Sequence, residues 1–184
     1  DKFATHWLIQ HISTDPDALE SVIRMTLNGP ARLDALNRTG LMNAGPQPAL
    51  DSIASLTAEA LAVPFAAVSL LDGETQLLAG CTAAPDTIER WRPVGLSICK
   101  FTVVSGIPFI VDNAPAHPLL VDHPAVVSGE IGAYAGVPLF DDDDRAVGTL
   151  FTWDKHPRVW TRGQIIVLHD MADLASAKIF RRSI

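Results

Sequence analysis

The sequence predicts an α+β fold: a central antiparallel sheet of about five to six strands, flanked by helices, with a helical N-terminal extension. Three observations carry this expectation. Apolar residues first recur at helical steps of three and four, and after residue 65 they change to strand-like runs. Asp72-Gly73 separates two such runs and marks a β-hairpin. Thr161 and Gln164 form a capping box ahead of a long apolar-striped segment, which predicts a closing helix.

The elements follow in order. Asp15-Pro16 starts a helix, because the carboxylate accepts from free N–H groups and proline at the first helical position has no donor to lose. Leu19, Val22, Ile23 and Thr26 give its stripe, and Asn28-Gly29-Pro30 ends it. A short helix is expected over 31–37. Gly45-Pro46 and Pro48 mark a boundary, so residues 1–45 are expected to be the extension and 46–184 the main domain. Leu50, Ile53, Leu56, Ala60 and Leu61 then form a second amphipathic helix. The hairpin 65–71 and 75–79 follows, and then a loop with Pro85, Trp91 and Pro93. A short helix (97–104), a strand (107–111), an irregular segment (112–130) and two strands (133–140 and 146–153) lead to the final helix. Proline-rich irregular segments of that length tend to carry function.

The 184 residues are 48% hydrophobic and 19% charged, which suits a packed globular domain rather than a disordered regulator. The formal charge is −7, and basic residues are scattered apart from Arg181-Arg182, which argues against direct nucleic-acid binding. Cys81 and Cys99 lack the spacing of a zinc ribbon or redox motif and are expected as buried thiols. No apolar run approaches the ~20 residues of a membrane helix. The polar start without Met is no signal peptide, and a cytoplasmic piece of a longer chain is expected. His6 and His11 fall on different helix faces, and Asp141 to Asp144 form a charged turn rather than a calcium loop.

Several segments carry a family resemblance. Thr39-Gly40-Leu41, Val63-Pro64, Ser97-Ile98-Cys99, Pro108 to Ala114, Tyr134 to Leu139, Val147 to Leu150, Asp154 and Pro157-Arg158 together resemble the GAF domain over about residues 36 to 180. The resemblance implies a PAS-like fold. It also implies a sensor role without catalysis, in which a small molecule enters a cavity roofed by the irregular segment and biases flanking helices. An output domain such as a kinase, phosphatase or cyclase would lie in the same full-length chain. Bilin-binding members carry Cys-His in the pocket; here Lys100 follows Cys99, so no covalent bilin is expected, nor haem or metal. Alternatives are a ligand-free interaction domain and a thiol enzyme of the methionine sulfoxide reductase type, with Cys81 resolving Cys99.

The candidate pocket comprises Cys99, Phe101, Asp112, His117, Tyr134, Phe151 and Trp153. Cys99 is expected at a helix N-terminus, which would lower its pKa. His117 and His123 are six residues apart in the irregular segment. On the closing helix, Ile165, Leu168, Ala172, Ala175 and Ile179 step like a coiled-coil seam and predict a homodimer interface, beside a second stripe of Val167, Met171 and Leu174.

Overall fold

The computed structural model describes residues 15–83 and 87–180; His6, His11, Pro85 and Arg181-Arg182 lie outside them. Three helices come first: α1 (Pro16–Leu27), α2 (Pro30–Arg38) and α3 (Pro48–Leu61). Asp15 caps α1 by accepting from the Ala18 amide at 3.0 Å, and each of the three helices has a proline in its first turn.

Six strands form one antiparallel sheet: β1 (Phe65–Leu71), β2 (Thr75–Cys81), β3 (Trp91–Pro93), β4 (Phe109–Val111), β5 (Ala133–Phe140) and β6 (Ala146–Asp154). Their order is β3-β2-β1-β6-β5-β4. β3 lies in the segment expected as a loop. Helices α4 (Cys99–Ser105), α5 (Pro124–Val127) and α6 (Arg162–Phe180) complete the chain.

The hairpin turn is closed by a side chain rather than by a left-handed glycine. Gly73 does not adopt a positive φ; instead Asp72 Oδ1 accepts from the amides of Glu74 at 2.7 Å and Thr75 at 2.6 Å. A Cβ at Gly73 would meet only the exposed Asn28 side chain, which can turn aside.

Each sheet face has its own core because side chains alternate along a strand. Ala66, Val68 and Leu70 of β1, Val137 and Leu139 of β5 and Leu150 of β6 face α3 and α6. Phe65, Ala67 and Leu71, with Tyr134 and Phe151, face α1, α4 and the irregular segment. Leu56 and Ala60 depart from the expected α3 stripe, and Thr26 from that of α1; all three are exposed.

The coiled-coil-like stripe on α6 is not a free surface. Leu168, Ala172, Ala175 and Ile179 are buried in the first core, and Ile165 packs against it half-buried. A three-four repeat serves a helix lying across its own sheet as well as one meeting a partner, and here the sheet and α3 take that face. Ile166 and Leu174 are the large apolar side chains that α6 leaves exposed.

The extension is docked on the domain. Leu19, Ile23 and Leu27 enter the second core, and the buried guanidinium of Arg32 donates to the carbonyls of Leu27 at 3.0 Å and Leu71 at 2.7 Å. Burial lowers the Arg32 pKa to about 10.

Candidate functional site

Strand register builds one wall. Phe65 pairs with Trp153 and Trp153 with Tyr134, so these three stand in one cross-strand row. Ala67, Phe151 and Gly136 form the next row, and Ser69, Thr149 and Pro138 the third. Phe65 stacks on Trp153 at 5.1 Å, and Tyr134 on Phe151 at 5.7 Å. Gly136 makes room for this, because a Cβ there would press on the Tyr134 ring and hydroxyl at about 3 Å.

Over these rows lies a cavity of about 280 Å³. Residues 96–99 close one side, and His123, Ala125, Glu130 and Ile131 of the irregular segment and its end form the roof. His123 ties roof to side: its Nδ1 accepts from the Ala125 amide at 3.1 Å, which leaves the proton on Nε2, 2.9 Å from the Leu96 carbonyl. The mouth carries the exposed side chains of Arg92 and Glu130.

The floor is polar and uncharged. Cys99 Sγ lies 3.2 Å from Tyr134 Oη and accepts from Gln76 Nε2 at 3.4 Å. The hydroxyls of Ser69 and Thr149, hydrogen-bonded to each other at 2.7 Å, stand nearby with that of Ser97. Ser97 Oγ is buried beside the thiol and is one of the hydroxyls that act on it. Thr102 Oγ1, buried on α4, stands on the other side beside the Tyr134 hydroxyl.

Both cysteines are buried thiols, as expected, and the lowered pKa that a helix N-terminus would give Cys99 is not found. Cys99 does open α4, but burial pushes its thiol pKa up, and the surrounding hydroxyls offset this only in part. Tyr134 is pushed well above its ordinary value, by burial first and then by the neighbouring Cys99. A raised folded-state pKa means that the unfolded chain loses its proton first. Stability therefore holds below about pH 9 and falls as pH rises, by up to about 1.4 kcal/mol per pH unit for each group. Urea midpoints of the wild-type chain are expected to drop between pH 9 and 10, and the drop to shrink in Cys99→Val. Equal slopes would remove the thiol from this account.

Four of the seven expected pocket residues line this cavity: Cys99, Tyr134, Phe151 and Trp153. Phe101 does not; it faces α1 across a separate cavity. Asp112 is structural, its Oδ1 accepting from the Trp160 amide at 3.1 Å, while Trp160 Nε1 donates to the Val111 carbonyl at 3.1 Å. His117 packs edge-on against Phe109 at 5.2 Å, and its Nδ1 accepts from the Leu119 amide. Burial lowers its pKa. His123 lines the cavity and His117 does not, so the histidine pair does not converge there. Among the described residues no group of three or more His, Cys, Asp or Glu could hold a metal ion, and no helix is long and apolar enough to cross a membrane.

Phe65, Gln76, Arg92, Ser97 and Glu130 also line the cavity and were not among the expected pocket residues. A polar Gln76 inside an apolar strand run was the one usable signal.

Comparison with known proteins places the fold. A family model described as GAF domain matches residues 45–179. The structure is similar to the GAF domain of an Acinetobacter phosphoenolpyruvate-protein phosphotransferase, at TM-score 0.59 and 18% identity, covering 82% of this chain and 94% of that one. It is also similar to a free methionine-R-sulfoxide reductase from Neisseria meningitidis in complex with its substrate, at TM-score 0.59 and 21% identity over 93% of this chain and 95% of that one. A domain of a putative two-component sensor histidine kinase from Sinorhizobium meliloti 1021 gives TM-score 0.56 and 18% identity over 73% and 90%. No curated protein sequence matches the chain. With the family model covering most of the chain and the six-stranded antiparallel sheet in place, the chain belongs to the GAF domain family.

Proposed function

We propose that the chain is a regulatory sensor domain of a signal-transduction protein, and that a small, uncharged molecule with a planar part enters the cavity over Cys99 and Tyr134. The observation that carries this reading is the cavity of about 280 Å³ itself, walled by the rings of Phe65, Tyr134, Phe151 and Trp153 over a polar, uncharged floor. At about 280 Å³ the cavity lies just under the 300–1,000 Å³ typical of pockets for drug-sized ligands, so a compact molecule fits better than a tetrapyrrole. Structural neighbours from a sensor kinase and a phosphotransferase support a signalling role.

Occupancy would act by population shift, favouring one helix arrangement through a difference in affinity. We propose a homodimer joined through the exposed side of α6, at Ile166 and Leu174, with the output domain elsewhere in the full-length chain. The test is a thermal-shift screen of small aromatic compounds. Hits are expected to lose at least tenfold in affinity in Ala125→Phe, which fills the cavity. Hits that ignore the plug would place their binding elsewhere.

A thiol enzyme is the second reading, favoured by the sulfoxide reductase among the neighbours and by Cys99 on the cavity floor. Two features weigh against it. The thiol pKa is raised, and Cys81 lies five residues beyond Gln76 on β2, roughly 16 Å of strand, with its thiol turned to the Ala83 carbonyl. Sulfoxide turnover lost in Cys99→Ser would restore that reading.

A further inference from the structure

Gln76 is an amide set inside an apolar strand. It pairs with Leu71 on one side and with Arg92 on the other, and it is only 3% exposed. Alternation along β2 sends its side chain to the sheet face that carries Leu71, Leu78 and the cavity over Cys99. Burying an amide costs free energy unless its donor and its acceptor both find partners, and the protein supplies only one of them. Nε2 donates to Cys99 Sγ at 3.4 Å. Among the described residues nothing donates to Oε1. That oxygen is not sealed in the core, and the cavity is where the Gln76 side chain opens.

The surroundings of this acceptor restrict what can reach it. Cys99 Sγ also lies 3.2 Å from Tyr134 Oη, so the amide stands one thiol away from the aromatic wall. The open apolar surface of the cavity comes from partly exposed side chains, Ala83, Ile88, Ala125 and Trp153. The enclosed polar groups, Gln76, Ser97, Cys99 and Tyr134, are uncharged, while the charged lining residues Arg92 and Glu130 are exposed at the mouth. A charged ligand group placed beside Gln76 would meet no counter-ion there.

We propose that Gln76 selects the ligand of this cavity, and that the ligand is a neutral, planar bicycle with a ring N–H, of the indole type, donating to Gln76 Oε1 with its rings against the aromatic wall. This rests on the reading of the cavity as a ligand site. The ring N–H supplies the donor that Oε1 lacks, and the flat rings suit stacking on Tyr134, Phe151 and Trp153. A molecule of this size also fits a cavity of about 280 Å³.

Calorimetric titration of the full chain with indole, and with benzofuran as the analogue of the same shape without an N–H, tests this. Indole is expected to bind at least tenfold more tightly, because benzofuran leaves the buried acceptor unpaired. In Gln76→Leu the two ligands should bind alike, and Gln76→Met provides the same comparison where Gln76→Leu does not fold. Ala125→Phe should remove the binding of both. Equal affinities, or tighter benzofuran, with both ligands lost in Ala125→Phe overturn the role of Gln76 and leave the cavity reading standing. An indole preference that persists in Gln76→Leu overturns that role as well. Binding of neither bicycle overturns the ligand class, and binding that ignores Ala125→Phe overturns the cavity reading itself.

Discussion

Ala175→Glu is expected to prevent the chain from folding stably, rather than to separate two folded subunits. Ala175 is fully buried where α6 crosses the sheet and α3, among Leu168, Ala172 and Ile179. A carboxylate there has no partner and no water, and burying an unpaired charge belongs to the few mechanisms that cost more than about 4 kcal/mol. Against a typical domain stability of roughly 5–15 kcal/mol, little would remain. Leu174→Glu is the control on the outer face, where a substitution is expected to shift stability by about 0.5 kcal/mol or less. Urea unfolding of both variants checks this, and size-exclusion of Leu174→Glu reports on a dimer through the same face. A folded, monomeric Ala175→Glu would return the stripe to the role of a dimer seam.

Gly148→Ala is the second large effect. A Cβ at this position would overlap the Ser69 carbonyl, which belongs to the neighbouring strand, and backbone on both sides leaves no flexible side chain to yield. Overpacking usually costs about 1–3 kcal/mol, and a clash with backbone in the middle of a sheet lies at or above the upper end. The consequence reaches the site, because Ser69 is hydrogen-bonded to Thr149 beside the Cys99 thiol. Thermal unfolding is expected to show a much lower midpoint, and native Cys99 to become reactive to alkylation. An unchanged midpoint would mean that β1 and β6 can separate there without cost.

The sheet was legible because it rests on local signals. The apolar runs on either side of Asp72-Gly73 placed the first hairpin, and the capping box located α6, where Gln164 N to Thr161 Oγ1 is 3.1 Å and Thr161 N to Gln164 Oε1 is 2.9 Å. What failed depends on contacts that local sequence does not encode. Cys99 and Phe101 sit two positions apart on α4, and a helix turns about 200° over that interval, so they serve opposite cavities. Asp112 looked like a turn residue beside a pocket, yet its partner Trp160 is 48 residues away. Arg92 lies on β3, a three-residue edge strand visible only through its pairing with β2. The stripe on α6 was read correctly as apolar, but periodicity does not say which surface covers it.

The central claim is that the cavity over Cys99 and Tyr134 is a working ligand site. Native mass spectrometry of the chain purified from cells, run beside Ala125→Phe, addresses it most directly. The sensor reading predicts excess mass from a small molecule on the wild-type chain and the bare mass for the plugged variant. Bare mass for both chains, or the same excess on both, would contradict it.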